Sequence, residues 1–126
     1  YVSDVASKLV ESLGKTVSDS VKFGILKCLR RFSKSPLIAA TLSRQIAILF
    51  RVWADNYDKD IVIFSCTEVL SNILDNEACA KMAVEVGIYF LFNDFERIQS
   101  PLSKIYWERL QKMCIDKLIN KGGMKF

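Results

Sequence analysis

Lys27, Arg30, Arg31 and Lys34 stand at i, i+3, i+4 and i+7, so on a helix they form one basic face. Such a row suits carboxylates or phosphates, Arg through paired N–H donors and Lys as a point charge. An ordinary solvated helix face reads the same way. The other reactive side chains are four cysteines, at positions 28, 66, 79 and 114. None forms Cys-x-x-Cys and the chain has no His, so a zinc site would need scattered Cys or carboxylate ligands. Small buried hydrophobes in a reducing compartment fit these cysteines better, with a cytoplasmic or nuclear location as the expectation. The lack of an Asn-x-Ser/Thr sequon agrees with it. Without His, a general base would have to be a carboxylate, Lys or Cys, and no Gly-rich phosphate loop is present. The expectation is a protein that is not an enzyme and uses no cofactor.

The elements that must position these residues are helices. Half the chain is hydrophobic (51%) and a quarter charged (25%), which favours a folded domain over disorder. Five Gly and two Pro leave little punctuation for a many-turned β fold. At 126 residues, one domain is expected, burying roughly two-thirds of its unfolded surface. Val5, Leu9 and Leu13 predict a first helix over 3–13, stopped by Gly14. A second runs from the cap at Ser18 and Asp19 to about Ser33, with Val21, Ile25, Leu26, Leu29 and Phe32 inward. Ser35-Pro36 opens a short helix to Ser43, and an apolar one follows over 46–54. The polar turn at 55–60 precedes a helix over 61–74, with Ile61, Phe64, Val69, Leu70, Ile73 and Leu74 as its buried set. Asn76 caps a short helix over 77–86 that ends at Gly87, and an aromatic-rich helix spans 88–98. Pro101 begins a helix to about Cys114, with Leu102, Ile105, Tyr106, Leu110 and Met113 inward, and a short one over 115–121 stops at Gly122. The apolar window over 36–54 is broken by Arg44, Gln45 and Arg51 and cannot span a bilayer, which needs about 20 mostly apolar residues.

Parts of this pattern recur. Leu29 and Phe32 align with Leu70 and Ile73 at an offset of 41, and Thr67, Leu70 and Ile73 with Trp107, Leu110 and Met113 at 40. Leu42, Ile46, Ile48 and Leu49 align with Val84, Ile88, Phe90 and Leu91 at 42, and Cys79 and Gly87 with Cys114 and Gly122 at 35. A period near 40 residues, with short helices before a longer amphipathic one, resembles the armadillo repeat, to which HEAT repeats are close. The phrase EVLSNILDNEACAKMAVEVGI at 68–88 carries the resemblance best, and CIDKLINKGGM at 114–124 looks like another first helix with its Gly. Gln45 stands where Gly87 and Gly122 do in the other units.

The resemblance implies an all-α, right-handed solenoid of about three repeats over 1–126, whose long helices line a groove for a partner peptide or helix. Import receptors of this family use a Trp-x-x-x-Asn ladder there. This chain has Glu68 and Asn72 at the matching positions of its best unit, Lys27 and Arg31 in the first, and Glu108 and Lys112 in the last. Only Asn72 matches, so a basic nuclear-localisation peptide is not the expected ligand. Trp53 and Trp107 adjoin charged residues, which suits either the edge of a core or an interface anchor. Residues 1–50 carry eight Lys and Arg against three Asp and Glu, 51–100 four against nine, and 101–126 six against two. The modest net charge of +4 and the acidic middle argue against nucleic acid as the main partner, and nucleic-acid binding through the basic face of the helix over 21–33 stands as an alternative role. The expected binding set is Lys27, Arg30, Arg31, Lys34, Glu68, Asn72, Trp107 and Lys112. Tyr1 in place of Met and an end in mid-unit suggest a piece of a longer chain, with self-association through an open repeat end as an alternative role.

Overall fold

The computed structural model of the chain describes residues 2–56, 58–85, 99–121 and 123. Every regular element among them is helical: α1 (Val2–Lys15), α2 (Asp19–Phe32), α3 (Pro36–Thr41), a 3-10 turn (Leu42–Gln45), α4 (Ile46–Asp55), α5 (Asp60–Leu74), α6 (Glu77–Glu85) and α7 (Pro101–Asn120). The predicted stop at Gly87, the aromatic helix over 88–98 and the stop at Gly122 lie outside the described residues.

Local chemistry sets the helix starts. The Ser18 hydroxyl accepts from the Val21 N–H at 3.4 Å and opens α2. Asn76 Oδ1 accepts from the Cys79 N–H at 3.2 Å and opens α6. Ser100 accepts from the Ser103 N–H at 3.4 Å, with Pro101 in the first turn of α7. At the far end of α2, Arg30 and Arg31 sit in the last turn, where cations complement the helix dipole.

Helix α5 is the centre. It buries Val62, Ile63, Cys66, Thr67, Val69, Leu70, Ile73 and Leu74, so it is covered on most of its circumference. Helix α2 packs on one flank and α7 on the other, while α4 and α6 lie behind. Trp53 of α4 and Trp107 of α7 are 2% and 1% exposed and stack with ring centroids 4.1 Å apart. Trp53 Nε1 donates to Thr67 Oγ1 of α5 at 3.1 Å, and that hydroxyl donates to the Ile63 carbonyl at 2.7 Å. One buried cluster thereby joins three helices. Trp107 belongs to the core and is not available as an interface anchor.

Several expectations change. Helix α1 buries Ala6, Val10 and Leu13 and exposes Val5, so its inner face is rotated from the Val5 register. Gly14 lies inside α1. A Cβ there would meet Ile48 Cγ2 at 3.0 Å, so this glycine permits a close approach of α1 to α4. The turn before α4 is made without glycine: Gln45 has φ −109° and its amide Nε2 donates to the Ser7 carbonyl of α1 at 3.0 Å. Helix α7 continues through Cys114 to Asn120 as one helix, with Leu118 fully buried. No Pro, Gly or capping residue interrupts it near 114, so the chain has no reason to break there.

Candidate interaction groove

Helices α2, α5 and α7 run parallel and in register. On the α5–α7 side, Asp60 accepts from the Ser103 hydroxyl near the two N-termini. One turn further, the Phe64 and Tyr106 rings lie 4.9 Å apart. Ser71 contacts Met113 at 2.9 Å, and Lys117 bridges to Asp75 at 2.8 Å near the C-terminal end of α5. On the α2–α5 side, Lys59 meets Asp19 at 3.0 Å at the start of both helices. At their far end, Asn72 Nδ2 donates to Ser33 Oγ at 3.1 Å and to the Arg30 carbonyl at 3.3 Å. Partners in these pairs are separated by 39 to 43 residues in sequence.

Three separate hollows border the α2–α5 seam and together mark a candidate groove, the last of them walled also by Pro36 and Ala39 of α3. At its start is a cleft of about 570 Å³ lined by Phe23, Ile61 and Val62 with Asp19, Ser20, Lys59 and Asp60 around them. Phe23 is 41% and Ile61 62% exposed. In the middle, Lys27 and Arg30 face Phe64 and Ser65 around a smaller hollow of about 80 Å³. At the end, a cleft of about 410 Å³ is lined by Lys34, Asn72, Asp75, Asn76 and Glu77 among others.

Charge pairing divides the cations. Lys22 and Lys59 hold Asp19, Lys81 holds Glu77 at 2.9 Å, and Lys117 holds Asp75. Among the described residues, the side chains of Lys27, Arg30, Arg31 and Lys34 make no ion pair or hydrogen bond. On α7, the Arg109 guanidinium lies 5.8 Å from the Tyr106 ring centroid.

Set against protein-family models, curated proteins and solved structures, the chain matches none. The functional reading therefore rests on its own geometry.

Of the residues singled out by sequence, Lys27, Arg30, Lys34 and Asn72 line the α2–α5 groove. Asn72 spends its amide N–H groups on α2, stitching two helices together instead of offering donors to a partner. Arg31 is exposed but lines none of these clefts, and Glu68 is half-buried on α5 one turn beyond Phe64. Lys112 sits apart, in a shallow hollow on α7 with Glu108, Ile115 and Asp116. Trp107 is internal. Sequence reasoning missed Phe23, Phe64, Tyr106 and Arg109. Phe23 precedes Lys27 by four residues, the same spacing that drew attention to the basic row, and that was the available signal.

The thiols follow burial. Desolvation pushes Cys66 up to about 12 and Cys79 to about 11, so neither is a ready nucleophile at neutral pH. Cys28 is exposed on α2. Among the described residues no group of three or more His, Cys, Asp or Glu could hold a metal ion, and no helix is long and apolar enough to cross a membrane.

The Ser103 hydroxyl, with Ser100, holds the Asp60 carboxyl below its usual range. A carboxylate lowered in the folded state stabilises the fold above its unfolded pKa, and that contribution is lost as pH falls through the folded value. Wild type is therefore expected to melt above Asp60→Asn at neutral pH, with the gap closing below pH of about 4. Melting curves by circular dichroism between neutral and acid pH check this; a gap that holds constant to low pH contradicts it.

Proposed function

We propose that the chain is an armadillo-like, right-handed stack of about three helical units that binds a peptide or helix of a partner protein along its long helices. It works as a non-enzymatic interaction scaffold. The observation that carries the reading is the parallel register of α2, α5 and α7, with contacting partners 39 to 46 residues apart. A unit of that length cannot bury its own apolar face, and stacking neighbours buries a continuous core. Parallel neighbours in register also align equivalent residues side by side, which leaves a seam along the layer that an amphipathic segment fits.

Site-specific photo-crosslinking tests it. A photoreactive residue in place of Lys27, Phe64 or Arg109 is expected to label one recurrent partner segment. The same residue in place of Lys8, Ala47 or Arg51, exposed on α1 and α4, is expected not to. Labelling from α1 and α4 alone contradicts the groove.

Exposed Leu102, Ile105 and Ile119 on α7 favour a second reading, self-association along that helix. Light scattering that stays monomeric up to high concentration removes it.

A further inference from the structure

The α2–α5 groove combines two features that together specify a partner. Its start is apolar and open, with Phe23 and Ile61 both substantially exposed. Its middle carries Lys27 and Arg30, which make no ion pair among the described side chains. The carboxylates bordering the clefts are already engaged: Asp19 by Lys59 and Lys22, Asp60 by Ser103, Asp75 by Lys117 and Glu77 by Lys81. Glu68, half-buried on α5 one turn beyond Phe64, makes no such pair, and it stands against Lys27, Arg30 and Lys34 on α2. The middle of the seam, at Lys27 and Arg30, is therefore its positive part, and Phe23 and Ile61 at its start are its exposed apolar part.

We propose that this groove takes an acidic amphipathic helix of a partner protein, anchored by one bulky apolar side chain in the Phe23–Ile61 cleft. The inference rests on the groove reading above and adds the partner's chemistry. The spacing follows from helix geometry. At a rise of about 1.5 Å per residue, Lys27 lies about 6 Å and Arg30 about 10 Å along α2 from Phe23. A helix lying along the seam meets these cations when its carboxylates stand four and seven residues from the anchor. Complementary charge fixes its register and speeds its arrival, while the anchor supplies most of the affinity. A single-stranded polynucleotide would also answer the cations, but the exposed Ile61 gives it aliphatic surface, and Asp19 and Asp60 in the same cleft repel phosphates.

Fluorescence anisotropy at low salt tests this with four probes. The first is a helical peptide with a central Phe and Glu four and seven residues to either side, which serves both chain directions. The second and third carry Gln or Lys at those positions, and the fourth is a 20-nucleotide single-stranded RNA. The acidic peptide is expected to bind about tenfold or more tightly than its Gln counterpart, with the advantage shrinking as salt rises. Lys27→Glu/Arg30→Glu is expected to reverse the order, favouring the Lys peptide, with unchanged helical ellipticity. Ile61→Asp is expected to weaken all three peptides. Equal binding of the acidic and Gln peptides, or tighter binding of the Lys peptide, by wild type overturns the acidic partner while the groove stands. RNA binding as tight as the acidic peptide also overturns it. If no peptide binds, the groove reading falls with it.

Discussion

Trp53→Ala is expected to remove about 3–5 kcal/mol of folding stability. The indole is 2% exposed, stacks on Trp107 at 4.1 Å and donates to Thr67. Three losses coincide: a large buried apolar area, an aromatic pair between α4 and α7, and the hydrogen bond that ties both to α5. The hole is too large to fill by relaxation, because Trp53 belongs to a close-packed buried core. A domain of this size is stable by about 5–15 kcal/mol, so the variant should sit near its unfolding midpoint under mild conditions. Urea denaturation followed at 222 nm measures the loss. Thr67→Val isolates one component: it strands the indole N–H, at a cost of about 1–3 kcal/mol. A loss below 1 kcal/mol for Trp53→Ala would mean that the tryptophan cluster does not join the layers as described.

Leu70→Ala and Ile61→Ala, two aliphatic truncations on the same helix, are expected to differ widely. Leu70 is fully buried at the middle of α5, and truncation should cost about 2–5 kcal/mol. Ile61 is 62% exposed in the first turn, and truncation should change stability by no more than about 0.5 kcal/mol. The same urea titrations check both. Comparable losses at the two positions would mean that Ile61 is covered within the chain, and the open cleft at the head of the groove would go with it.

That contrast marks where the sequence could be read and where it could not. Helix positions were legible, because caps such as Ser18, Asn76 and Ser100-Pro101 act within a single turn. The all-helical class was legible too, because the chain has few Gly and Pro to punctuate a β fold. What failed was the choice of face. Helix α5 is apolar over most of its circumference, so periodicity gave no way to tell Ile61 from Val62 and Ile63, and the neighbours decided it. In α7, Leu102 and Ile105 have helical spacing yet are exposed, while Ser103 and Trp107 turn inward. Glycine misled in a different way: Gly14 reads as a stop, but its missing Cβ serves the approach of Ile48. Asn72 had a groove role by resemblance, and only the position of Ser33 reveals where its amide N–H groups go.

The central claim is that α2, α5 and α7 stand side by side in parallel register as one surface. Two cross-links read that register directly. Ser33 and Asn72 are hydrogen-bonded at 3.1 Å, and Asp60 is hydrogen-bonded to Ser103. Hydrogen-bonded pairs of short side chains hold their Cβ atoms within roughly 6 Å, so a small approach of the two helices reaches the roughly 3.5–4.5 Å that a disulfide requires. With Cys28 and Cys114 changed to Ser, the pairs Ser33→Cys/Asn72→Cys and Asp60→Cys/Ser103→Cys would be oxidised under native conditions and mapped by peptide mass spectrometry. The account predicts intramolecular 33–72 and 60–103 bonds with helical ellipticity retained. Bonds that form only in denaturant, or only between molecules, would contradict it.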